Sequence, residues 1–131
     1  MNQKKQTIII VDDLPLNQFI LRVLLKPWEE RYELVELQNA EGLLQVIKDC
    51  KNSKILIFLD LQMPVMDGYD FLTLWKAHKA NCEKTVQIVV VSATEISEFK
   101  KKGDLTLLQD YLMKPVNGIQ IEQIFNSFDQ L

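Results

Sequence analysis

The sequence predicts an α/β fold: a doubly wound sheet of five parallel strands covered by five helices. Two observations predict it, short runs that are almost wholly apolar and helically spaced apolar residues between them. The runs are Ile8–Val11, Ile55–Leu59 and Ile88–Val91. Strands buried on both faces read this way, and such strands belong to parallel sheets flanked by helices. Regular alternation of strand and helix then implies right-handed crossovers.

Each element follows in order. After the first strand, Phe19, Ile20, Val23 and Leu24 fit a helix stopped by Pro27, and this stripe reads as core. A weaker strand near Leu34–Leu37 precedes a second helix marked by Ala40, Leu43, Leu44 and Ile47. The strand Ile55–Leu59 leads to a third helix with Gly68, Phe71, Leu72 and Trp75 on one face. The strand Ile88–Val91 leads to a short fourth helix, about Glu95 to Lys102, with Gly103 as its C-terminal stop. A last strand near Tyr111–Met113 precedes a fifth helix carrying Ile121, Ile124, Phe125 and Phe128.

Bulk properties narrow the class. A chain of 131 residues suits one domain with one core, residues 1–131. Only one helix follows Pro115, so no output domain is expected. The net charge is −3 with no basic stripe, which gives no support for nucleic-acid binding. Lys100, Lys101 and Lys102 read as a solvated helix end. Cys50 and Cys82 have neither disulfide-framework nor metal-knuckle spacing, and His78 beside Lys76 and Lys79 reads as a surface residue. The N-terminal MNQKKQ leads into too short an apolar run for a signal peptide or a membrane span. The expectation is a cytoplasmic protein without a membrane partner.

The polar residues at the strand ends carry the chemistry. Asp12 and Asp13 follow the first strand, Asp60 the third, Ser92 ends the fourth, and Lys114 follows the fifth. In a parallel sheet these ends share one edge, where open α/β sheets bind ligands. Singly, each is a helix cap, a turn residue or a solvated lysine. Together they place three acids, a hydroxyl and an amine at one spot. Three close carboxylates repel more than one lysine can neutralise. A hard divalent cation such as Mg²⁺ suits such oxygen ligands and lets an anionic carboxylate meet an anionic phosphoryl group. Asp60 is then the candidate covalent acceptor, with Ser92 and Lys114 binding the remaining phosphoryl oxygens.

Four segments in order, IIIVDD (Ile8–Asp13), FLDLQMPVMDG (Phe58–Gly68), VVVSAT (Val89–Thr94) and YLMKPV (Tyr111–Val116), resemble the receiver domains of two-component response regulators. The resemblance spans essentially the whole chain. It implies a flavodoxin-like sheet of order 2-1-3-4-5 and a single-domain regulator of the chemotaxis-regulator kind. It implies phosphorylation of Asp60 by a histidine kinase or a histidine phosphotransfer protein docked at the first helix, with Phe19 a possible contact. Asp13, Asp60 and the backbone carbonyl of Gln62 would hold Mg²⁺, and Asp12 would act through metal-bound water. Lys114 would hold the phosphoryl group and precede a cis Pro115. Ser92 and Tyr111 would switch the surface of the fourth helix, fifth strand and fifth helix toward an unidentified downstream protein. A homodimer through that surface is a further implication, and catalysis would extend only to the protein's own phosphotransfer and slow dephosphorylation.

One stretch departs from the family pattern. Gly103 is followed by Asp104–Asp110 before Tyr111, a longer approach to the last strand than receivers usually have. Leu105, Leu107 and Leu108 there either pack locally or present a partner patch. Competing functions are weaker. Haloacid-dehalogenase-like phosphatases place an acid two residues after the nucleophile, where this chain has Gln62. A scaffold that had lost phosphorylation would lack an acid or the lysine. A dinucleotide-binding domain would carry a Gly-rich turn after the first strand.

Overall fold

The computed structural model describes residues 4–131. Five strands, β1 (Gln6–Val11), β2 (Tyr32–Leu37), β3 (Lys54–Leu59), β4 (Thr85–Ser92) and β5 (Asp110–Met113), form one sheet in the order β2-β1-β3-β4-β5. Every pairing is parallel. The helices are α1 (Pro15–Leu25), α2 (Leu43–Asp49), α3 (Gly68–His78), α4 (Ile96–Phe99) and α5 (Gly118–Asp129). The order reverses between β1 and β3, so the carboxyl edge opens a crevice where those strands part company.

The apolar runs form strands because both faces are covered. Ile9 and Val11 of β1 join Ile57 and Leu59 of β3 in a core layer with α2, α3 and α4. Ile8 and Ile10 join Leu56 and Phe58 in the opposite layer with α1 and α5. This is the two-residue alternation of a pleated strand, with water excluded on either side. The helix starts are set locally. Asp67 caps α3 in a reciprocal box with Asp70, and Asn117 does the same for α5 with Gln120. Helix α1 starts instead on Pro15, whose fixed φ suits a first turn.

The stripes of α3 and α5 are buried as the spacing predicts: Phe71, Leu72 and Trp75 on one, Ile121, Ile124, Phe125 and Phe128 on the other. Helix α1 is a correction. Phe19, Ile20 and Val23 face solvent, and Leu21 and Leu25 enter the core, with Leu24 packed at its margin. The segment PLNQFILRVLL is apolar on nearly every side, so spacing alone could not choose its inner face. Ala40 is buried but precedes α2. Helix α4 is four residues long, shorter than the expected span of about Glu95 to Lys102, because the N–H groups of Lys101 and Lys102 turn to the i−3 carbonyls of Glu98 and Phe99, at 3.2 and 3.0 Å. A 3-10 turn, Leu105–Leu107, follows, and Leu105, Leu107 and Leu108 pack against the α3 side of the core. No helix among the described residues is long and apolar enough to cross a membrane.

Candidate functional site

The site residues are fixed by backbone bonds that continue the sheet past its strands. Asp12 N–H donates to the Leu37 carbonyl, Asp60 N–H to Val11, and Lys114 N–H to Ser92, each within 3.0 Å. These bonds tie the carboxyl ends of β2, β1 and β3 to one another, and that of β5 to β4. One carboxylate oxygen from each of Asp12, Asp13 and Asp60 lies within 4.8 Å of the others. The Lys114 ammonium sits between two of them, 3.0 Å from Asp12 Oδ2 and 3.5 Å from Asp60 Oδ2. The Lys114–Pro115 bond is cis.

Asp12 and Asp60 are buried, while Asp13 is half-exposed. Burial holds the Asp60 carboxyl above its ordinary range; Lys114 opposes that rise and Asp12 adds to it. An ionised Asp60 therefore sits in a pocket that penalises its charge. A three-acid oxygen set with one ammonium fits a hard divalent cation. Gln62 stands beside Asp60, its N–H directed at Asp60 Oδ1 over a long 3.5 Å. Ser92, buried at the end of β4, accepts the Thr94 N–H at 3.0 Å. Tyr111 donates its phenol to the Thr94 carbonyl at 2.5 Å. Burial raises the Tyr111 phenol above its usual range, with Tyr69 and Asp60 adding to the rise and the Ser92 hydroxyl opposing it. The structure thus brings Asp12, Asp13, Asp60, Gln62, Ser92, Lys114 and Tyr111 into one neighbourhood.

Three supporting features escaped the sequence reading. Gln18 bridges the Asp12 and Leu37 carbonyls through Nε2, at 2.8 and 3.1 Å, and Asn17 reaches Asp12 Oδ1 at 3.4 Å. The signal was there, since Asn17 and Gln18 are the uncharged polar pair of a helix whose other residues, Arg22 apart, are apolar. Gly68 was read as one position of an apolar stripe. A Cβ there would lie 2.5 Å from the Asp60 carbonyl oxygen and 2.9 Å from Leu61 Cα, so only glycine lets α3 start this close to Asp60. Val65, in the loop after Asp60, has φ +69° and is spanned by a 2.9 Å bond from Met66 N–H to the Pro64 carbonyl, the pattern of a strained γ-turn.

A cavity of about 240 Å³ opens beside the acids, lined by Asp12, Lys114 and the apolar side chains Ile20, Leu21, Val91 and Val116. Ile20 also belongs to a row of exposed apolar residues on α1, with Leu16, Phe19 and Val23. The charged cleft and that apolar face are therefore continuous.

With this geometry established, similarity to known proteins is informative. The family model for the response regulator receiver domain matches residues 8–126. A probable C4-dicarboxylate response regulator of Priestia megaterium is 28% identical over 128 residues, covering 98% of this chain and 54% of that protein. The chain spans still smaller shares of other curated relatives, such as 7% of a hybrid histidine kinase of Dictyostelium discoideum. A Saccharomyces cerevisiae structure, described as the phosphotransfer protein Ypd1 with the receiver domain of Ssk1, matches with 28% identity and a TM-score of 0.73, covering 95% of this chain and 89% of that one. The receiver domain of a Pseudomonas aeruginosa sensor kinase, described with magnesium in its active-site cleft, shares the fold at 22% identity and a TM-score of 0.73, covering 94% and 96%.

Proposed function

The chain belongs to the response regulator receiver domain family of two-component signalling, and on that premise we propose that Asp60 is its phosphoryl acceptor. The observation that carries this is the meeting of Asp12, Asp13 and Asp60 within 4.8 Å, with Lys114 Nζ 3.5 Å from Asp60. A carboxylate oxygen of Asp60 attacks the phosphorus of a phosphohistidine. The O–P bond forms, the P–N bond breaks, and the imidazole leaves with a proton from solvent. Lys114 turns from Asp12 toward the incoming phosphoryl oxygens, and Ser92, whose oxygen already accepts from Thr94, donates its own proton to another. Asp13, Asp60 and the Gln62 carbonyl are the residues to hold Mg²⁺, with Asp12 acting through bound water. The ion, when bound, supplies charge neutralisation for a cleft whose burial penalises an ionised Asp60.

The exposed row on α1 is the surface for the donor, a histidine kinase domain or a histidine phosphotransfer protein. It leads directly to the cavity beside Lys114. Movement of Ser92 reaches Tyr111 through Thr94 and alters α4, β5 and α5, where Ile96, Met113 and Ile119 are exposed for a downstream protein or a second copy. The reaction is confined to the protein's own phosphotransfer and slow hydrolysis. Incubation with a small phosphodonor and Mg²⁺, read by intact mass, tests this reading. Wild type should gain one phosphoryl group, lost on chelation of the metal before donor addition. An equal gain by Asp60→Asn overturns it.

A further inference from the structure

The stretch Gly103–Asp110 lengthens the approach to β5, and the structure gives it a definite form. Asp104 accepts the Thr106 N–H at 2.9 Å and pairs with Lys76 at 3.2 Å, which anchors the turn to α3. That anchoring holds the Asp104 carboxyl down at about 2, chiefly through its bonds to Thr106 and Lys76. Between this turn and α3 runs a groove of about 690 Å³. Its floor is apolar, from Leu72, Leu105 and Leu107, and Lys76, Lys100 and Lys102 stand along it.

The charges do not cancel. Asp104 offsets Lys76, and Lys101 is taken up by Glu98 at 3.0 Å. Lys100 has no ion-pair partner among the described residues, and Lys102 lies over the Tyr69 ring, 5.5 Å from its centre. A chain of net charge −3 thus presents two uncompensated ammonium groups above an apolar floor. Tyr69 also lines the groove and is stacked on Phe99, centroids 5.6 Å apart. Phe99 in turn meets Tyr111 at 5.4 Å. Phe99 is fully buried, and the turn packs so closely on it that a Cβ on Gly103 would lie 2.3 Å from its ring.

We propose that this groove binds an acidic peptide segment of a partner protein that also carries apolar side chains, and that the Tyr111–Phe99–Tyr69 stack couples its affinity to the state of Asp60. The lysines select carboxylates, and the floor selects a peptide over a free anion. Lysine charges alone would also attract nucleic acid, but the acidic remainder of the chain opposes a polyanion. The coupling rests on the phosphoryl-acceptor reading of Asp60; the binding does not.

The probe is a fluorescein-labelled peptide alternating Glu with Leu, followed by anisotropy, beside a Gln-for-Glu counterpart and a labelled oligothymidylate. The Glu peptide should bind about tenfold more tightly than the Gln peptide at low salt, and Lys100→Gln with Lys102→Gln should remove that advantage while phosphorylation by a small phosphodonor is unchanged. Phosphorylation with Mg²⁺ should shift the wild-type affinity about fivefold, and Tyr111→Phe, still phosphorylated, should lose the shift. Equal binding of the two peptides, or no effect of the lysine substitutions, overturns the groove. Tighter binding of the oligothymidylate overturns the choice of partner. Equal affinity with and without a phosphoryl group confirmed by mass overturns the coupling. A wild type that takes no phosphoryl group sinks the Asp60 reading instead, and leaves the peptide comparison to be judged in the unmodified chain.

Discussion

Helices α1 and α5 cover the same side of the sheet, and both carry an apolar row at i, i+3, i+4, i+7. On α5 the row Ile121, Ile124, Phe125 and Phe128 is almost wholly excluded from water, while on α1 the row Leu16, Phe19, Ile20 and Val23 is 41–66% exposed. Helix α1 has a second, inner set in Leu21 and Leu25, which does for it what the single row does for α5. The difference teaches that helical spacing identifies a helix but not the side it buries. A surplus apolar row is a surface with another use, and here it borders the acid cleft through Ile20.

The sharpest break between the two rows is in stability. Phe125 is buried and stacked on Trp28 at 4.5 Å, so Phe125→Ala should cost about 3–5 kcal/mol in urea unfolding. Phe19→Ala, at the equivalent kind of position on α1, should fall within about 0.5 kcal/mol, because its ring is half in water and its neighbour is Arg22. Similar costs for both would mean that the α1 row is core after all. Within α1, Leu21→Ala should cost about 2–4 kcal/mol, which separates the inner set from the outer one on a single helix.

These two helices also mark how far the sequence could be read. The buried strands were legible because both of their faces are apolar, and the faces of α3 and α5 because each buries a single apolar row. The acids, hydroxyl and lysine were legible because a parallel sheet puts its strand ends together whatever the loops do. The inner face of α1 was not, since both faces offer apolar residues. The length of α4 was not, because its last turn tightens to i−3 bonds at Lys101 and Lys102, and a run of three lysines does not announce such a change. Gly68 was visible, but its reason, the approach of a backbone from the Asp60 loop, was not. Gly68→Ala should therefore cost about 1–3 kcal/mol and slow phosphorylation by a small phosphodonor, readable as unfolding midpoint and intact mass. An alanine tolerated without effect on either would show that the Asp60 loop can retreat.

The functional side of the comparison predicts a smaller effect with a cleaner signature. Phe19→Ala combined with Ile20→Ala should slow phosphotransfer from a purified histidine phosphotransfer protein about tenfold, the order of 1.4 kcal/mol. Labelling by a small phosphodonor should not change, because neither residue supplies a group to the cleft's acids. Equal slowing with both donors would place the effect in the cleft, through Ile20 and its cavity, and would remove the case for α1 as a docking surface.

Val65 supplies the finest discrimination, because it too is an exposed apolar residue near Asp60 but has a backbone explanation. It is 82% exposed, so its side chain adds little to the core, and its φ of +69° is one that a β-branched residue adopts at a cost of about 1–3 kcal/mol. Glycine would remove that strain and return part of the gain through the greater freedom of the unfolded chain. Val65→Gly should therefore raise stability by about 0.5–1 kcal/mol, measured by urea unfolding. Transfer from the phosphotransfer protein should stay within about twofold if exposure here answers to the γ-turn alone. A fall comparable to that of the α1 double variant would extend the docking surface across the Asp60 loop. A loss of stability would mean that the turn is held by the valine side chain, and that exposed apolar residues around this cleft cannot be sorted by backbone conformation.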